Sequence, residues 1–434
     1  MMNCTRKFEG KHLLVLGSSA GAEDIVKYAK SHGAHVTVAD YLPLESSSAK
    51  RLANDHILIS TGDVNSLEKF IREHNVDGVI SGISEFNLLK AMELCERCNL
   101  PFYCTKEQWD EVALKDRFRK LCQDAKVPCP RTYYTGSDLS EIRWKQIKYP
   151  SVVKPVDASS SEGVFICQDE DTLRENLTVS LSKSLSGEVI IEQCVRGSEF
   201  TAHYTILNGQ PRLACIDNRY PVAVHQGPVT TIPVARLFPC LFLEQYLDQV
   251  NESMVRLCEN LNLNNAVLFI QGLYDEENDS FAIFEAGLRS AAECPCRFME
   301  EINGLNYMHL LVDNALLGFS DYPQELENPG LHGKCCGIVS FVAKGGIVGS
   351  IQGLEEAVNS TPSVLAYESR YPVGSLTPNG NTLHQLMIRF VMACENREEM
   401  ARDIERLNSL ISVRDIDGED MVIKMEPKRV FGVM

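Results

Sequence analysis

Apolar and polar positions in the first hundred residues alternate between two periods. HLLVLG (12–17) is a continuous apolar run, the pattern of a strand buried on both faces, whereas GAEDIVKYAKSHG (21–33) spaces its apolar residues along one helical face. HVTVAD (35–40) returns to a strand. The alternation continues through a strand at HILIS, a helix over SLEKFIREHN, a strand at DGVISG, a helix over EFNLLKAMELCERCN and a short strand at PFYC. Strand and helix in strict turn predict a mainly parallel sheet covered on both sides, so residues 1–104 are expected to form a small doubly wound α/β domain.

Beyond 104 the pattern changes. Residues 105–127 read as helical, and the prolines of VPCP (127–130) force an extended exit. YPSVVKP (149–155), a Ser-rich loop, GVFIC (163–167), a helix near 170–185 and EVIIEQCV (188–195) predict a compact α+β lobe. Residues 199–218 read as a hairpin turning at Asn208-Gly209, 219–240 as a less regular Pro- and Val-rich stretch, and 241–262 as a helix. Two strands, AVLFIQGLYD and SFAIFEAGL, follow around an acidic turn. From about 330, short strands (GIVSFVAK, GIVGSIQ) and a long helix near 395–412 predict a C-terminal α+β domain, giving expected boundaries of 1–104, 105–329 and 330–434.

Composition fits three globular units: 434 residues with 44% apolar content. The net charge of −17 argues against nucleic acid or an anionic membrane as partner. No apolar run nears the roughly 18 residues of a spanning helix, and the short run after the start is too brief for a signal segment, so a cytoplasmic location is expected. In that reducing setting the sixteen cysteines read as free thiols. The loop GSSAGA (17–22) lacks the glycine order of a dinucleotide fingerprint, which leaves Gly17, Gly21 and Asp40 as parts of an ordinary strand-to-helix turn. Cys95 and Cys98 lie within a helix and lack a second pair at zinc-finger spacing, whereas Cys294 and Cys296 fall near the chemistry described next.

Six segments carry that chemistry, in one order: VALKD, SVVKP, ASSSEGV, IIEQCVRGSEF, FIQGLYD and FEAGLR. Together they resemble the ATP-grasp superfamily of carboxylate–amine ligase type, with the fold of biotin carboxylase and the carbamoyl-phosphate synthetase large subunit. A lysine ending a strand would by itself only reach for water. The resemblance implies more: Lys115 and Lys154 hold the phosphates of ATP, and Ser159, Ser160, Ser161, Gly163 and Val164 form a loop that covers them, Gly163 being free to adopt positive φ. It also implies that Glu192 and the backbone of Cys194 and Val195 hold the adenine, and that Glu199 takes the ribose. Glu285, with Gln271 on the preceding strand, would ligate Mg²⁺, with Mn²⁺ as a substitute, because magnesium asks for hard oxygen donors. Arg289 would stabilise phosphate or acyl-phosphate charge, Arg219 would clamp a substrate carboxylate, and His225 would take a proton from the attacking amine.

Three departures from the family pattern stand out. Gly287 replaces an asparagine ligand, Gln271 replaces an acid, and Ser290-Ala291-Ala292-Glu293 replaces the usual glycines after Arg289. The resemblance implies an ATP-dependent ligase that joins a small-molecule carboxylate to an amine, with no nucleic-acid or membrane partner and with a homodimer as the expected assembly. A bicarbonate-activating enzyme and a non-catalytic ATP-binding regulator remain as alternatives, the second because of those departures.

Overall fold

The computed structural model describes residues 6–18, 20–158, 162–224, 231–380 and 382–432. Strands Asp55–Ile57, His35–Ala39, His12–Leu16 and Gly78–Ser81 lie side by side in that order, all parallel. Two-sided burial explains the unbroken apolar run at 12–16. Leu13 and Val15 pack with Ile25 and Val26 of the helix Ala22–Ser31. Leu14 and Leu16 pack on the other face with Leu67, Ala91 and Leu94 of the helices Val64–Glu73 and Glu85–Cys98. PFYC does not add a strand. Pro101 lacks an N–H for the ladder, and the Tyr103 side chain is instead buried, its hydroxyl donating to Leu288 O at 2.8 Å.

Two antiparallel four-stranded sheets follow. The first lobe orders Thr132–Gly136, Val189–Gln193, Ser151–Pro155 and Phe165–Cys167, backed by the helix Glu170–Ser182 through Leu173 and Leu177. The second lobe orders Gln210–Ile216, Ser198–Leu207, Ala266–Asp275 and Ser280–Gly287. The hairpin turns at Asn208-Gly209 as expected, both residues at positive φ. The helical stretch at 105–127 is two helices, Lys106–Ala113 and Lys115–Ala125, because Leu114 between them is extended. The stretch at 241–262 likewise divides into Leu243–Gln249 and Asn251–Asn260 around Val250.

The largest correction concerns 219–240. Asn218–Val222 and Ile232–Phe238 are paired antiparallel strands, and Ile232–Phe238 continues onto Cys335–Ala343 of a larger sheet completed by Leu386–Cys394 and Val364–Ser369. Prolines at 221 and 233 sit opposite each other at a register shift in this pair, which masks the alternating pattern in the sequence. The helix Arg397–Leu410 covers this sheet through Met400, Ile404 and Leu407.

Candidate active site

Sheet register builds the second lobe's contribution. Gln271 pairs with Thr201 on one side and with Glu285 on the other, so the three form one row across the sheet. Two residues along each strand, His203, Phe269 and Gly287 form a second row on the same face, since side chains at i and i+2 share a face. Gln271 and Glu285 therefore stand as cross-strand neighbours. Glu285 is exposed, and no ion pair engages it among the described residues. A free carboxylate beside an amide oxygen suits a hard divalent cation such as magnesium, with Gln271 adding an oxygen but no charge.

The first lobe contributes cations. The end of the strand Ser151–Pro155 carries Lys154, 7% exposed, whose ammonium lies 2.6 Å from Glu192 Oε2 on the adjoining strand. Arg119 holds the same carboxylate with Nε on Oε1 and Nη2 on Oε2, and its Nη2 also donates to Phe284 O in the second lobe at 2.9 Å. One buried acid thus organises two cations, one of which ties the lobes together. Burial pushes the Glu192 carboxyl up, but Lys154 and Arg119 outweigh it and hold it below the usual range. Lys115 opens the second helix of its pair, where its backbone N–H donates to Val156 O and its ammonium to Ala158 O at 2.6 Å. Burial draws the Lys115 ammonium below its ordinary value against the pull of Glu285. Lys115, Asp157, Ala158, Glu285, Gly287 and Arg289 line one cleft between the lobes.

Gly163 adopts φ 73° as expected, with Val164 half-buried after it; Ser159, Ser160 and Ser161 lie outside the described residues. Cys194 and Val195 are half-buried in the short segment, 194–197, by which the chain crosses from the first lobe's sheet to the second's. Glu199 opens the second lobe's first strand and is ion-paired with Arg219, whose guanidinium also donates to Thr231 Oγ1 at 2.8 Å and Thr231 O at 2.6 Å. His225 lies outside the described residues. Arg289 projects over the Phe269 ring, 4.8 Å from its centroid, and faces Glu85 of the first domain at 3.9 Å.

Sequence reasoning passed over a buried polar cluster beside this cleft. Arg236 donates to Asp217 Oδ2 at 2.8 Å and Thr201 Oγ1 at 2.7 Å, and its Nε lies 2.5 Å from Glu293 Oε1. Both ring nitrogens of His203, Glu293 Oε2 and Arg389 Nε are buried without a hydrogen-bond partner among the described residues. Burial pulls the His203 imidazole down to about 4, so the ring is neutral there. Unpaired buried polar atoms converging on one place suit a polar ligand that completes their bonds. Arg119 was detectable, one helical turn after Lys115 on the same face. Arg236 was not, because its strand reads as irregular chain.

Residues 147–297 match the ATP-grasp domain family. The formate-dependent phosphoribosylglycinamide formyltransferase of Prochlorococcus marinus is 26% identical over 189 residues, 43% of this chain and 47% of its own, so the chain spans about half the length of that relative. The L-amino acid ligase of Bacillus licheniformis superposes with a TM-score of 0.76 at 18% identity, covering 94% of this chain and 99% of that one. The biotin carboxylase domain of Hydrogenobacter thermophilus 2-oxoglutarate carboxylase, solved with MgADP and bicarbonate, gives a TM-score of 0.73 at 15% identity over 95% of this chain and 91% of that one. The architecture is thus that of the ATP-grasp ligases, with a doubly wound domain before the two gripping lobes and an α+β domain after them.

Proposed function

We propose, from the premise of an ATP-grasp domain at residues 147–297, that this chain is an ATP-dependent ligase that activates a carboxylate as an acyl-phosphate and joins it to an amine, releasing ADP and phosphate. The observation that carries the reading is the cleft in which Lys115 of one lobe faces the unpaired Glu285 of the other, beside a cluster of buried, unsatisfied polar atoms. Lys115 and Lys154 neutralise the ATP phosphates, with Lys154 aligned by Glu192, while the segment around Cys194 and Val195 receives the adenine. Glu285 and Gln271 hold Mg²⁺ or Mn²⁺, which supplies positive charge to the transferring phosphoryl group. Arg289 at the cleft wall stabilises oxyanion charge on the activated carboxylate. Arg236 and Arg389 belong to the buried polar cluster that would receive the substrates, and Glu293 Oε2, unpaired there, accepts the amine's proton. No helix among the described residues is long and apolar enough to cross a membrane. A cytoplasmic location, small-molecule substrates and a homodimer are part of the proposal.

Purified protein given ATP, magnesium and mixtures of carboxylates and amino acids should release phosphate only when a true donor–acceptor pair is present. Glu285→Ala should abolish that release while adenosine binding persists. Turnover unchanged in Glu285→Ala would remove the metal assignment. Tight ATP binding without phosphate release across a wide panel would favour a regulatory ATP-binding protein, the reading that the neutral Gln271 supports.

A further inference from the structure

We infer that the nucleotide site of this chain takes a single divalent cation, and that the Arg289 guanidinium on the Phe269 ring supplies the positive charge that a second ion would bring. The inference rests on the ATP-grasp reading above. Two ions about 3.5–4 Å apart repel each other strongly and need anionic oxygens between and around them. The strand row that brings Glu285 to the cleft offers that one carboxylate, with the neutral Gln271 beside it; of the other acids lining the cleft, Asp157 is taken up by Ser184, Leu185 and Ser186, and Glu85 lies beside Arg289. The next position on the same face and strand is Gly287, which brings no oxygen. Nor is there room for one: a Cβ at 287 would stand 2.5 Å from Phe269 Cε1, so the phenyl ring of the facing residue occupies the volume of any side chain there.

The same ring that removes a ligand position supports a cation. Arg289 packs its guanidinium 4.8 Å from the Phe269 centroid and anchors Nη1 to Ser290 O at 3.1 Å. Its nearest carboxylate, Glu85, stays at 3.9 Å, beyond hydrogen-bond range, so the guanidinium keeps its donors for the cleft that it lines. Gly287, Phe269 and Arg289 thus act together: the small residue admits the ring, and the ring carries the arginine. A guanidinium offers a fixed charge and a planar fork for phosphate oxygens without needing ligands of its own.

The test is to count ions on the full chain. Mn²⁺ titrated into the protein with saturating ADP and followed by electron paramagnetic resonance should show one protein-bound Mn²⁺ per bound nucleotide, and two would overturn the inference. No nucleotide binding at all would overturn the ATP-grasp reading itself, a result that the nucleotide measurement alone registers. Arg289→Gln, checked for an unchanged melting transition, should keep one ion per nucleotide and weaken MnADP binding roughly tenfold or more, the loss of a charge-assisted hydrogen bond. Unchanged MnADP affinity in that variant would overturn the role given to Arg289.

Discussion

Two buried cations share one carboxylate at Glu192, and the asymmetry of that arrangement sets what each substitution does. Glu192→Gln leaves Lys154 and Arg119 buried without a counter-charge, so unfolding in urea should show a loss of about 3–5 kcal/mol. Lys154→Met removes one cation and leaves the Arg119–Glu192 pair intact; its stability loss should be clearly smaller, whereas nucleotide affinity falls. An equal loss in the two variants would contradict the shared-acid arrangement. The lysines were legible in the sequence because they belong to ordered motifs, but the pairing of Lys154 and Arg119 with Glu192 was not, since a strand pairing and a helix face bring them together from 119, 154 and 192. Glu199 shows the same limit. Its place at the start of a strand was readable, and its pairing with Arg219 needed the register of a sheet whose next strands read as irregular chain.

Among the elements, the crossing at 194–197 does most to place the site, because it carries the chain from one lobe's sheet to the other's. Its last residue, Gly197, sits at φ 154°, and a Cβ there would lie 2.2 Å from Tyr274 O. Gly197→Ala should therefore cost about 1–3 kcal/mol for the backbone alone and displace the Cys194–Val195 main chain, giving weaker adenosine binding in calorimetry. Normal binding and normal stability would show that the close approach to Tyr274 relaxes freely. Strong periodicity made most elements legible: the parallel strands, the hairpin at Asn208-Gly209 and both strands around the acidic turn. Single residues that break a helix defeated it. Leu114 and Val250 carry no glycine or proline signal, yet each divides what reads as one continuous helix.

Across the whole molecule, the first domain docks on the helix Met308–Leu317 through a small set of buried polar and aromatic groups. Tyr28 stacks on His309 with centroids 3.7 Å apart and donates to Asp313 Oδ1, while Lys7 approaches Asp313 Oδ2 at 2.8 Å. Burial, helped by His32 and Lys7, pulls the His309 imidazole from 6.5 to about 3. The unfolded chain then binds this proton below pH 6.5 while the folded chain does not, so stability falls as the pH drops from 6.5 toward 3. His309→Phe should flatten that part of a melting-temperature profile against pH; an acid limb identical to the parent's would show that the ring protonates without cost. The long sheet that draws Ile232–Phe238 onto Cys335–Ala343 has a different consequence. The strand pairing of Ile232–Phe238 with Cys335–Ala343 makes the molecule a poor candidate for modular editing. A fragment cut at 329 would bare the apolar edge of Ile232–Phe238, an invitation to self-association, and grafting residues 330–434 elsewhere would leave its sheet short of a neighbour.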